Sequence, residues 1–149
     1  MQLTRAADYA VRVMIFLAAL PRGGRASLPS IVEATGAPES FLSKVLQALT
    51  RVQLITSRRG PAGGFEITPM GRQASMRDVV ESIDGPISLN VCLSGRRSCP
   101  RKSWCPAHPV WAKAQEALLG VLSTAMISDL ASDGANLHAL AHIKTGTDD

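Results

Sequence analysis

Cys92, Cys99 and Cys105 are the only cysteines of this 149-residue chain, and all three stand in one stretch, CLSGRRSCPRKSWCPAH, that closes on His108. The spacing is C-x6-C-x5-C with a histidine three places on. Three thiols cannot pair internally without leaving one over. The Gly, Pro, Ser and Arg between them disfavour a regular helix or strand, so the stretch reads as an irregular loop that something else must order. Thiolates are good ligands for iron and zinc, and a bound ion fixes a loop that has no core of its own. A structural zinc site usually contains a C-x2-4-C pair, which is absent here. Two metal-free readings use the thiols directly: an oxidation switch, and a nucleophile with His108 as base to Cys105. The sequence shows no oxyanion elements or substrate pocket to go with such a nucleophile, and an enzyme is not expected.

The elements on either side must position this loop. At 46% hydrophobic residues the chain can bury a real core. Its formal charge of +4 is unevenly spread. Residues 1–60 hold eight basic and three acidic side chains, a net of +5, and the remainder nets −1. A surplus confined to the N-terminal part suits contact with a polyanion such as DNA. The apolar stretch Met14–Leu20 follows Asp8 and Arg12 and has helical periodicity, unlike a secretory leader. The apolar run Ala117–Ile127 is too short for a membrane span. A cytoplasmic protein with reduced thiols and no membrane partner is expected.

From the start of the chain, Thr4 is placed to cap a helix whose apolar positions Ala6, Tyr9, Ala10, Val13, Met14 and Leu17 recur at i, i+3, i+4 and i+7. Ser27 caps a second, short helix that buries Leu28, Ile31 and Val32, and Gly36 suits a left-handed turn after it. A third helix, about Pro38–Val52, puts Phe41, Leu42, Val45, Leu46 and Leu49 on one face. Glu39, Ser40, Ser43, Lys44, Gln47 and Arg51 fall on the other. Two short helices joined by a glycine turn, the second with a polar and basic outer face, form the helix-turn-helix pattern, and those polar side chains are candidate base and phosphate contacts, with Ser27 beside them.

Leu54–Arg58 and Phe65–Thr68 are strand-prone and flank the turn Arg59-Gly60-Pro61-Ala62-Gly63-Gly64. A hairpin after a recognition helix is a wing. Arg58 and Arg59 at its tip can grip phosphate or enter the minor groove, and Gly60, Gly63 and Gly64 allow close backbone approach. The turn lacks the spacing of either nucleotide-phosphate loop. Ser75 and Asp78 then signal a capping box ahead of Met76, Val79, Val80 and Ile83. Beyond the cysteines, Pro109 opens a helix expected to run to about residue 132. Its apolar side chains cover more than half the circumference, which calls for a second packing surface, that of another copy. The expected organisation is a DNA-binding domain (1–85), a cysteine loop (86–108), a dimerisation helix (109–132) and a weakly ordered tail (133–149). The fold class is mainly α with a small β-hairpin wing. Its partners are a double-stranded, palindromic operator and a second copy of the chain.

The opening MQLTRAADYAVRVM, the segment FLSKVLQALTRVQLI, the wing RGPAGGF, the helix MRDVVESIDG, the three clustered cysteines and the long helix after them together resemble the Rrf-type winged-helix regulators, which include IscR, NsrR and RirA. The likeness covers about residues 1–131. It implies a homodimeric transcription factor, a repressor, in which an iron-sulfur cluster held by three cysteines and one further ligand controls operator binding in response to redox, nitric oxide or iron status. It implies Cys92, Cys99 and Cys105 as ligands. His108 matches the histidine of IscR-like members, which hold a two-iron cluster. Asp8 matches the aspartate that NsrR-like members contribute from the opposite subunit to a four-iron cluster. Read without the family, Asp8 is a carboxylate favoured near a helix N-terminus and His108 a polar residue ahead of Pro109. Arg96, Arg97, Arg101 and Lys102 would offset the negative charge of a thiolate-bound cluster.

Overall fold

Thr4 caps the first helix, its hydroxyl accepting the Ala7 N–H at 3.2 Å, and α1 (Arg5–Ala19) follows. In the computed structural model, which describes residues 2–95 and 99–134, α1 is the central element. It packs against the second and third helices, the hairpin and the later helix Met76–Asp84. Ser27 caps α2 (Leu28–Thr35) by accepting the Ser30 N–H, and Gly36 closes it in the left-handed conformation at φ 68°. α3 (Glu39–Arg51) then buries Leu42, Val45, Leu46 and Leu49. With Met14, Leu17 and Ile31 these make the centre of the core. Each such side chain is worth about 1.5–3 kcal/mol over leaving it in water. Phe41, expected on the buried face, is instead 40% exposed. It sits at the edge of the α3 stripe and meets Tyr9 of α1 edge-to-face, with ring centroids 5.7 Å apart.

The wing is an antiparallel pair, β1 (Ile55–Arg58) and β2 (Gly64–Ile67), with Ile55 opposite Ile67 and Arg58 opposite Gly64. Ala26 joins it as a one-residue bridge to Phe65, with both backbone bonds formed, at 3.0 and 2.8 Å. That approach needs Gly64: a Cβ there would lie 2.7 Å from the Ala26 carbonyl oxygen, and φ is +129°. A short helix that the sequence pattern had not suggested, α4 (Pro69–Arg72), is capped by Thr68. α5 (Met76–Asp84) has the expected capping box, Ser75 and Asp78 each satisfying the other's backbone. The loop that follows contains a 3-10 turn, Val91–Leu93.

The last helix differs from expectation. α6 (His108–Thr124) stops eight residues short of 132, and a separate helical segment, 127–134, follows. The break is tertiary. The Met76 N–H donates to the Ala125 carbonyl at 2.8 Å and the Ile127 N–H to the Ala74 carbonyl at 3.0 Å, so Met126 pairs with Ser75 as a β-bridge. Ile127 is thereby driven, fully buried, into the core that α1, α3 and α5 build. Of the expected tail only 133 and 134 are described, and they continue the helical segment. Residues 135–149, with His138 and His142, and the loop arginines Arg96 and Arg97 lie outside the described residues. Among those described, no helix is long and apolar enough to cross a membrane.

Candidate nucleic-acid interface and metal centre

The α2–α3 turn is rigid because its polar atoms are spoken for. The Thr35 hydroxyl donates to the Ile31 carbonyl at 2.7 Å and accepts the Ala37 N–H at 3.3 Å. Arg12 of α1 donates to the Thr35 carbonyl at 3.2 Å, while its guanidinium lies 5.5 Å from the centroid of Tyr9. With the turn fixed, α3 presents Ser40, Lys44, Gln47 and Arg51 outward at helical spacing, Glu39 beside them and Ser43 half-buried. The Ser43 hydroxyl is turned back onto the Glu39 carbonyl at 3.1 Å. Ser27, at the α2 cap, is exposed as well.

A cleft of about 450 Å³ separates α3 from the wing. Its rim carries Ser43, Gln47, Thr50 and Arg51 from the helix and Ser57 from the hairpin, over a floor of Leu28, Leu46 and Phe65. Arg58 and Arg59 are exposed at the hairpin tip. Gly60 takes φ +100°, and Gly63 packs so close to the Arg58 carbonyl that any Cβ would collide with it. α3 and the hairpin thus bring Ser43, Gln47 and Arg51 to one cleft beside Ser57, the residue before Arg58.

The cysteines converge at the other end. Cys92, Cys99, Cys105 and His108 line a single cleft of about 380 Å³, together with Asn90, Val91, Pro100, Lys102 and Trp111. All three thiols are free and half-buried. The loop is slung between two helices: the Ile87 N–H donates to Glu81 of α5 at 3.0 Å and the Leu89 N–H to Gln115 of α6 at 3.0 Å. Neither Glu81 nor Gln115 stands out in the sequence: Glu81 accepts from a loop amide six residues on, and Gln115 takes its role from Leu89, 26 residues earlier. His108 opens α6, and Cys105 stands in the turn just before it, its carbonyl accepting the His108 N–H at 3.2 Å. The N-cap, Ala107, offers no side-chain oxygen to the first amides of α6, so that end keeps its partial positive charge towards the cleft.

His108 Nδ1 is buried without a hydrogen-bond partner among the described residues. An unpaired buried nitrogen is costly and calls for a proton donor or a metal. Among the described residues no three Cys, His, Asp or Glu side chains already stand at metal-ligating distances. The set lines the cleft without being drawn together, as is usual for a site that closes only around its ion. Three thiols and an imidazole suit iron or zinc by donor type. Asp8 is not part of this cleft; exposed on the outer side of α1, it pairs with Arg12 at 2.9 Å.

A helix-turn-helix, a hairpin wing at its side and a cysteine-lined cleft at the head of a C-terminal helix define a winged-helix DNA-binding regulator. The chain belongs to the Rrf2 family: the family model, described as an iron-dependent transcriptional regulator, matches residues 3–133. Members of this family bind DNA and are transcriptional regulators, not enzymes. Among curated relatives, Protein aau3 of Rhizobium meliloti (strain 1021) is 34% identical over 132 residues, which span 87% of this chain and 84% of that protein. Among solved structures, CymR, the global cysteine regulator of B. subtilis, superposes with a TM-score of 0.70 at 26% identity, covering 89% of this chain and 97% of that one. IscR of T. potens superposes at 0.71 and 23% identity, over 90% and 88%, a likeness that speaks to the fold.

Proposed function

We propose that the protein is a cytoplasmic, homodimeric repressor whose grip on a palindromic operator is set by an iron-sulfur cluster bound by Cys92, Cys99 and Cys105, with His108 as the fourth ligand. The observation that carries this reading is the convergence of all three thiols and the unpartnered His108 Nδ1 on one cleft. His108 is preferred to Asp8 because it lines that cleft in the same protomer, whereas the Asp8 carboxylate is engaged by Arg12. When bound, the cluster supplies a centre that oxidants or nitric oxide attack through an iron not protected by thiolate.

This chain's own residues turn occupancy into a change at DNA. Ligation fixes Cys105 and His108, hence the start of α6, while Gln115 and Glu81 carry the rest of the loop to α6 and α5. The outer face of α6 is open: Val110 and Val121 are 65% and 67% exposed, with Ala114 and Ala117 exposed between them. This i, i+4, i+7, i+11 stripe fits the same stripe of a second copy. Reordering the loop then shifts α6 against its partner and alters the separation of the two α3 helices, changing affinity to the extent that the two states bind the operator differently.

Protein purified without oxygen is expected to be brown, to contain iron and sulfide, and to lose both in Cys99→Ala; colourless protein without iron would overturn the cluster assignment. A second reading is favoured by the three free, half-buried thiols themselves, which could act as an oxidation switch or hold zinc. Metal analysis separates these cases: iron with sulfide supports the first, zinc or no metal the second.

A further inference from the structure

The wing is held by a residue outside both the recognition helix and the hairpin. Arg25, in the segment leading into α2, places its Nε 3.2 Å from Glu66 Oε2 on β2, and its Nη1 donates to the Ala62 carbonyl in the tip turn at 3.2 Å. Both side chains of the ion pair are about a quarter exposed, so the pair is partly shielded from solvent. The next residue, Ala26, is bonded through both backbone groups to Phe65, and the one after that, Ser27, caps α2. Three consecutive residues therefore fasten the wing tip, the wing strand and the helix-turn-helix to one another. Buried Ile55 and Ile67 fix the base of the hairpin against α1 and α3, but its exposed tip has no core side chain and depends on such ties for its position.

We infer that Arg25 is the positioning residue of the wing: it sets where Arg58 and Arg59 stand relative to α3, so that both elements reach the same duplex at once. Its guanidinium fork is required, because one planar group serves a carboxylate and a carbonyl in different directions. Two of its five N–H donors are taken by Glu66 and the Ala62 carbonyl, which draw the guanidinium towards the wing.

The test uses the full-length wild-type protein to select a duplex from a randomised pool, and that duplex becomes the probe. Arg25→Ala is expected to keep its thermal midpoint but to lose cleavage protection where the wing lies, while protection under α3 remains. The slope of log affinity against log salt should fall by about 2 per protomer as both wing arginines disengage. Glu66→Gln decides between positioning and direct contact. If Arg25 positions the wing, removing its carboxylate partner also loosens the tip and weakens binding, although a negative charge has been removed. If Arg25 touched phosphate, the same substitution would free it and tighten binding, and that result overturns the inference. Unchanged wing protection in Arg25→Ala would overturn it equally. Arg25→Lys, which keeps the charge but not the fork, should rescue only part of the loss; complete rescue also counts against the assignment.

Discussion

α3 and α6 carry similar apolar side chains, yet α3 sinks four of its 13 residues below the surface while α6, with 17, fully buries none. The difference lies in what each helix is packed on. α3 has α1, α2, α5 and the hairpin around it, so its buried face is satisfied within one protomer. α6 rests on α5 and the loop with one side and leaves Val110 and Val121 exposed on the other. The DNA-reading half is thus specified by its own sequence. On the proposed reading, the cysteine half depends on what it would meet, an inorganic cofactor at one end of α6 and a second copy along its flank.

Substitutions can break this contrast or sharpen it. The largest expected effect is on the cleft: Cys105→Ala should abolish iron and sulfide content altogether while leaving the circular dichroism of the helices nearly unchanged, since this thiol contributes little to any core. Next, Leu46→Ala should destabilise the protomer by about 2–5 kcal/mol in denaturant titrations, the cost of a cavity in a filled core. Val121→Asp on α6 should behave in the opposite way. It should dissociate the dimer in sedimentation experiments and yet change protomer stability by no more than about 0.5 kcal/mol, as expected of an exposed site. A Val121→Asp protein that stays dimeric would remove α6 from the proposed interface. Smaller still, Ser75→Ala should cost about 1 kcal/mol, because it deletes the capping box at the start of α5. Finally, Arg58→Ala should lower the salt slope of DNA binding by about 1 per protomer, with little effect on base preference.

Most of the DNA-binding half could be read directly from residue order because its signals are local. Thr4, Ser27 and the Ser75–Asp78 pair each cap the helix they announce, and Gly36 takes the left-handed turn it suits. Phe41 was misplaced because it borders the apolar stripe and finds a sideways partner in Tyr9. The end of α6 was misplaced for a deeper reason. The apolar pattern runs on through Ala125 and Met126 without a proline or glycine, and the helix is ended by backbone bonds to residues 74 and 76, some 50 positions earlier. Arg25 went unnoticed on the same grounds, its partner Glu66 being 41 residues away. Local chemistry announces caps and turns; pairings between distant segments leave no such mark. Of the candidate metal ligands, the three cysteines and His108 share one cleft, whereas Asp8, which the resemblance places at the partner subunit's cluster, pairs with Arg12 on its own helix.

The β-bridge at Met126 gives α6 a fixed end. Ala125 is stitched to Met76 and Ile127 is plugged into the core, while the far end begins at His108, in the cysteine cleft. On the proposed reading the helix is a lever, with its fulcrum on the body formed by α1, α3 and α5 and its free arm at the cysteine cleft. Over a span of about 25 Å, a tilt of about 10° carries the free arm about 4 Å, far enough to exchange one row of side-chain contacts with a neighbour for the next.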